Sequence, residues 1–425
     1  MSAPHGPHRV GALAPLRHAP FRNLVSGRVI SMFGNAMAPI ALAFAVLDLT
    51  GSVSDLGLVV GARSLTNVVF LLFGGVVADR FPRRQVLVVA SVLATLTQGM
   101  VAALVLTGTA TIPLLALLAA ANGLVSSFMF PAAGAMQGQT IPDHLRRQAN
   151  ALARLGLTSA SIVGASVGGL LVAGVGPGWG IALDAATFAA AGAFFARIRV
   201  PDVRDPAAQG TSMLHELRVG WTEFVSRTWV WVVVLAFCFL NAAEVGAVGV
   251  LGPAVADETV GRRAWGLVLA AQTAGMVVGA LVLMRLRLRR LLLWGVCGTG
   301  GGVLLLTALA WSPTVAVLLP AAFVTGFAME QFAIAWDTSI QEHIPPDKLA
   351  RVYSYDALGS FAAIPFGQVA AGPLAEAFGV RTALLGAAAV STLAVIGMLA
   401  SRSVRTLEHH PVRVDSTPAE PAPVT

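Results

Sequence analysis

Apolar stretches of about twenty residues, the length of one helical crossing of a bilayer, recur twelve times along this 425-residue chain. Charged residues are confined almost entirely to the connections between them. Backbone amides in hydrocarbon have no water to bond, so open strands are excluded and each stretch reads as a helix. The spans fall near 29–49, 56–77, 85–106, 111–136, 149–173, 180–196, 229–251, 264–284, 291–311, 315–337, 353–376 and 382–400. Only 12% of the residues are charged, against roughly 25% in an ordinary soluble domain. A water-soluble enzyme, a disordered chain and a collagen-like chain are thereby excluded, and the fold class is an all-α membrane protein. The first span is too long for the apolar core of a signal peptide, about 7–15 residues.

The net charge of +7 is spread in short clusters between apolar runs. The expected partner is therefore the lipid bilayer, and no nucleic acid is expected. With the N-terminus placed in the cytoplasm, 23 of the 28 Lys and Arg residues fall in connections on that side. Only Arg262, Arg263 and Arg381 fall on the other. The positive-inside rule predicts both termini in the cytoplasm. Cys238 and Cys297 lie inside apolar runs and suggest neither a disulfide framework nor a metal set. Lys348, the only lysine, follows no glycine-rich phosphate loop, which excludes a Walker-type ATP site. There is no His-Glu-x-x-His, and no Gly-x-Ser-x-Gly in a strand–turn–helix setting. No catalytic residue, metal or cofactor is expected.

The longest internal connection, 197–228, separates two six-helix bundles, 29–196 and 229–400, flanked by cytoplasmic tails 1–28 and 401–425. Its second part places Met213, Leu217, Trp221 and Phe224 on one face, the pattern of a helix lying in the membrane interface. The composition of the C-terminal tail predicts disorder. A shift of 204 residues aligns Phe128 with Phe332, Gln137 with Gln341, Pro142 with Pro346, Asp143 with Asp347, Leu145 with Leu349, Arg147 with Arg351 and Gly168 with Gly372. Parallel six-helix repeats point to a transporter whose site lies between the halves.

Between the second and third spans stands Gly75-Val-Val-Ala-Asp79-Arg80-Phe-Pro82-Arg83-Arg84. It resembles the signature loop of the major facilitator superfamily, with Pro82 where that loop usually has glycine. The resemblance runs from Leu16 to about Arg402, and Trp336-Asp337, Gln341, Pro345 and Arg351-Val352 resemble the actinobacterial and enterobactin-exporter-like branch of drug exporters. It implies the major facilitator fold and a bacterial cell membrane. It also implies a gating latch in which Asp79 meets the N-terminus of the eleventh helix, where the dipole favours an anion, while Arg80, Arg83 and Arg84 pair with carboxylates or anionic lipid. In the fifth span Gly164, Gly168 and Gly169 resemble the exporters' glycine signature, with Ala165 at the usual proline position. Helix packing through small residues explains the same glycines.

Charge at membrane depth costs about 2.5–3.5 kcal/mol on insertion scales, which singles out Arg63, Asp184, Glu244, Glu330 and Asp356. All five are proton-coupling candidates, and Glu330 and Glu244 lie deepest among them. With no basic residue in its own span, Glu330 reads as unpaired. Asp184 and Asp356 lie nearer the span ends, where a structural role competes. Arg63 is an ion-pair partner or an anion-binding group. Asn35, Phe128, Gln272, Phe332 and Trp336 are candidates for the substrate cavity, with ordinary helix packing as the competing reading for each aromatic. Together these features predict a monomeric secondary transporter that exports a small, fairly hydrophobic drug, secondary metabolite or siderophore in exchange for protons by alternating access. A proton-coupled nutrient importer shares every feature but direction, and a membrane enzyme or lipid flippase is the rival of another class.

Overall fold

The computed structural model describes residues 13–142, 145–200, 221–286, 288–345 and 348–408, with the backbone alone at 72–80, 130, 135, 147, 350 and 351. Twelve helices are long and apolar enough to cross a membrane, and no strand forms among the described residues. The first half comprises α1 (Ala19–Thr50), α2 (Val53–Arg80), α3 (Arg83–Leu106), α4 (Ile112–Gln137), α5 (Arg146–Val175) and α6 (Pro177–Ala196). The second comprises α7 (Thr228–Glu258), α8 (Arg262–Leu283), α9 (Leu291–Trp311), α10 (Val315–His343), α11 (Val352–Phe378) and α12 (Val380–Ala400).

The helices follow the apolar runs and outlast several of them. Residues 19–28, assigned to the N-terminal tail from composition, are the first turns of α1, because Phe21 and Leu24 are fully buried against neighbouring helices. In the C-terminal tail, Arg402–Arg405 form a helical turn with Val404 buried; residues 409–425 lie outside the described part. So do Met213 and Leu217 of the expected interfacial helix. Its other two residues, Trp221 and Phe224, stand on a helical stretch at 221–226 and pack on Tyr355, with ring centroids 5.5 and 5.8 Å away. Glu223 on the same stretch accepts hydrogen bonds from Lys348 Nζ and Arg227 Nη2, both at 2.8 Å. Those bonds, Lys348's above all, hold its carboxyl below the ordinary carboxylate range.

The two halves are built alike. In the first, α1 packs on α5 and α6, α2 on α4, and α3 on α4 and α6; in the second, α7 packs on α11 and α12, α8 on α10, and α9 on α10 and α12. At the far end, opposite the start of α1, five of the six turns carry a glycine with positive φ: Gly51, Gly108, Gly176, Gly261 and Gly379. Chain reversal there takes only a few residues because glycine has no Cβ to clash in that conformation.

The halves meet mainly through two helix pairs, α2 with α11 and α5 with α8. Both contacts are backbone to backbone. A Cβ on Gly169 would stand 2.8 Å from the Gly266 Cα, and a Cβ on Gly57 or Gly372 would run into the backbone of Gln368 or Ser54. All these residues lie toward the far end, so the halves are closed on each other there.

Three helices of the second half are interrupted. A π turn at Ala247–Leu251 precedes Pro253 in α7, α9 breaks at Gly300, and α11 breaks at Ala362–Ala363 before Pro365. Proline has no N–H, so Pro365 leaves the Phe361 carbonyl without its helical donor. One residue earlier, the carbonyl of Ser360 accepts a hydrogen bond from Asn241 Nδ2 of α7 at 2.9 Å. A side chain from a neighbouring helix thus supplies a donor directly beside the break.

Within the second half, Gly275 and Gly326 bring α8 and α10 into backbone contact; a Cβ on either would run into the carbonyl of Phe323 or Gln272. Gly326→Val should lower stability by about 1–3 kcal/mol through overpacking, read as an earlier thermal unfolding transition in detergent. Gly386→Ala, where a Cβ meets open space, should leave that transition unmoved. Equal transitions in both variants would refute the packing.

Candidate functional site

Residues four apart on a helix share a face, and on α10 this places Phe332 and Trp336 together. Phe332 stacks on Phe237 of α7 with ring centroids 4.2 Å apart and on Trp336 at 6.0 Å, while Trp229 meets Trp336 edge-on at 5.5 Å. Phe237, Phe332 and Trp336 form one wall of a cavity of about 690 Å³. Most of its lining comes from α7, α10 and α11, with Leu71 and Pro131 as the contribution of the first half. Asp337 and Tyr353 place the cavity toward the end of the molecule where α10 finishes and α11 begins, opposite the closed far end.

Asp356 reaches the cavity from α11. Its Oδ2 accepts a hydrogen bond from Trp336 Nε1 at 2.9 Å and its Oδ1 accepts one from Ser360 Oγ at 3.1 Å. Three candidates from the sequence, Phe332, Trp336 and Asp356, therefore share one site. The others stand elsewhere. Asn35 donates to the Ser31 carbonyl at 3.1 Å and accepts from Arg63 Nη2 at 3.4 Å. Phe128 is half-buried on α4 and does not line this cavity. The carbonyl of Gln272 packs against Gly326.

The remaining carboxylates divide by surroundings. Asp184 is fully buried in the first half, accepts from Gln98 Nε2 at 2.6 Å, and lies within electrostatic reach of Arg63. A Cβ on Gly34 would collide with it. Its place is the polar core of that half, together with Arg63 and Asn35. Glu244 is equally enclosed in the second half, pressed on Gly302 of α9 and beside Ser391 of α12, with Oε1 lacking a partner among the described residues. Glu330 does not stay unpaired. Arg154 Nη2, from α5 of the other half, donates to its Oε1 at 2.6 Å. Counting charges within one span cannot find such a pair, because the partner comes from another helix.

Of the signature loop, the side chains of Asp79 and Arg80 lie outside the described residues, as does position 75 beyond its helical backbone. Arg84 Nη2 donates to the Ala196 carbonyl at 2.6 Å, at the C-terminus of α6 where the helix dipole favours a cation. The glycine row of α5 serves two contacts. Gly164 and Gly168 press on Phe33 and Met37 of α1, whereas Gly169 presses on Gly266 of the other half.

One charged cluster carries no signal in the spacing of the sequence. Arg262 at the start of α8 makes two hydrogen bonds with the carboxylate of Asp48, one of them at 2.9 Å, and two with Asp257 at 2.8 and 3.0 Å. Its guanidinium also lies 4.8 Å from the Phe44 ring centroid. Asp48 and Phe44 belong to the first half, so the cluster ties the halves at the closed end. The available signal was its rarity, since Arg262 is one of three basic residues on its side. Arg262→Ala should take about 1 kcal/mol from the closed far end, an approximately fivefold shift toward its opening. Spin-label distances between the turns at 107–111 and 312–314 read that shift, and an unchanged distance distribution would deny the cluster a role.

Residues 10–422 match the family model described as transmembrane secretion effector. The chain is 28% identical over 370 residues to the multidrug efflux pump Tap of Mycolicibacterium fortuitum, covering 83% of this chain and 88% of that protein. It is also 28% identical over 284 residues to the enterobactin exporter EntS of Shigella boydii, covering 62% of this chain and 63% of that one. Among solved structures, a bacterial homologue of the human lysosomal transporter Spinster, inward-facing and unoccupied, superposes with a TM-score of 0.73 at 14% identity, covering 93% of this chain and 99% of that one. The nucleoside transporter NupG gives 0.71 at 16% identity, covering 90% and 98%. These last two likenesses concern the fold.

Proposed function

We propose an export function for this chain, which belongs to the transmembrane secretion effector family of the major facilitator superfamily and is thus a multi-pass membrane transporter, not an enzyme. The substrate is a small, fairly hydrophobic drug, secondary metabolite or siderophore, moved in exchange for protons by alternating access. The observation that carries this reading is the cavity between halves that are closed on each other at the far end. With both termini in the cytoplasm, that cavity faces the side from which an exporter loads. The names of the efflux pump and the siderophore exporter support the same direction. The two six-helix halves, 29–196 and 229–400, rock as bodies joined by 197–228, and the monomer suffices.

The orientation has its own check. A single cysteine placed in the arginine-rich 285–290 connection should react with an impermeant maleimide in inverted vesicles and stay unlabelled in intact cells. Labelling of intact cells would reverse the topology.

Glu330 and Arg154 provide the coupling point, because their ion pair joins the halves. Moving the halves apart at this level must break the pair, and a proton on Glu330 replaces the lost guanidinium. Glu330→Gln keeps the shape and removes the titration. In proteoliposomes, substrate-for-substrate exchange should persist while transport driven by an imposed pH gradient falls at least tenfold. Undiminished gradient-driven transport would remove Glu330 from the mechanism, and an imposed gradient that moves no compound from a broad panel through the unaltered protein would overturn the export reading.

A further inference from the structure

Among the described residues the cavity lining carries one sign of charge. It holds two carboxylates, Asp337 and Asp356, and no described lysine, arginine or histidine. Among the described residues Asp356 is held by neutral donors, the Trp336 indole and the Ser360 hydroxyl, which orient its charge without neutralising it. Asp337 is exposed on α10 beside Tyr353. The guanidinium that acts on Asp337 electrostatically is Arg154, and that group is hydrogen-bonded to Glu330. Around the carboxylates stand the stacked rings of Phe237, Phe332 and Trp336.

Each class of ligand fares differently here. An anion would be desolvated against two like charges with no donor cation among the described lining residues, a juxtaposition that interfaces use to reject wrong partners. A neutral apolar molecule would fill the aromatic wall and leave the Asp356 carboxylate without a counter-charge. A cation with a bulky apolar body satisfies both features, because the carboxylates supply the opposite charge and the ring faces attract positive charge as well. We propose that, within the export reading above, this cavity takes monovalent cations with aromatic or bulky apolar bodies, the charge set against Asp356 and Asp337 and the body against Phe332 and Trp336. Anionic siderophores are accordingly the disfavoured members of the substrate range.

Tetraphenylphosphonium and tetraphenylborate test this directly, since they share a shape and differ in sign. With the full chain in lipid nanodiscs, saturable binding of the phosphonium is expected and saturable binding of the borate is not. Asp356→Asn, which preserves shape, should weaken phosphonium binding at least tenfold, and Trp336→Leu about fivefold. Should Asp356→Asn fail to fold, Asp337→Asn, on an exposed position, carries the same expectation. Equal binding of the two ions, preference for the borate, or unchanged phosphonium affinity in the folded Asn variants would overturn the proposal. Transport in proteoliposomes separates this result from the export reading. Phosphonium binding that depends on the aspartates, without transport of any panel compound, would uphold the site and sink export. Transport of neutral or anionic compounds without phosphonium binding would do the reverse.

Discussion

A helix in hydrocarbon must satisfy its own amides, and in this protein that demand decides where the chain is able to deviate. In the second half it deviates in α7, α9 and α11, and the α11 break is next to a carbonyl that Asn241 satisfies from α7. Thr299 at the α9 break and Ser360 and Phe361 at the α11 break all line the cavity. The breaks of α9 and α11 therefore border the cavity, while the π turn of α7 lies apart from it.

Two alike halves acquire different tasks through these details. The first half encloses one charged cluster: Asp184 is locked to Gln98 and lies near Arg63 in a packed core. The second half turns its polar and aromatic groups toward the space between the halves. The repeat that aligns Phe128 with Phe332 thus relates positions with unlike surroundings, since Phe332 lines the cavity and Phe128 does not. Equivalent places in a duplicated fold set the helix geometry, while the side chains around each place set its use.

Hydropathy is a local property, so the twelve spans were legible; helix ends were less so, because the first turns of α1 depend on burial of Phe21 and Leu24 by distant segments. Phe332, Trp336 and Asp356 were legible because polar and aromatic residues in a span must find special surroundings. The partner of Glu330 was not, since Arg154 is 176 positions away and no rule of spacing connects them. Nor did depth distinguish Glu244, enclosed within its own half, from Glu330, which bridges both. The glycines of α5 show the same limit: Gly168 and Gly169 are adjacent in sequence and press on helices of different halves. Small residues announce a close approach and leave the approaching helix unnamed.

The far end is held by two kinds of contact that respond differently to the surrounding solution. Backbone packing at Gly169 and Gly266 is indifferent to dissolved ions. The Arg262 cluster is not, because Asp48 is 41% exposed and Arg262 23%. Electrostatic attraction at such a site is screened over about 8 Å at physiological ionic strength and about 3 Å in molar salt. The balance between closed and open far ends therefore carries an ionic-strength dependence of its own, set by the medium that bathes that face of the membrane. A cell in brine and a cell in fresh water would run the same protein from different resting populations.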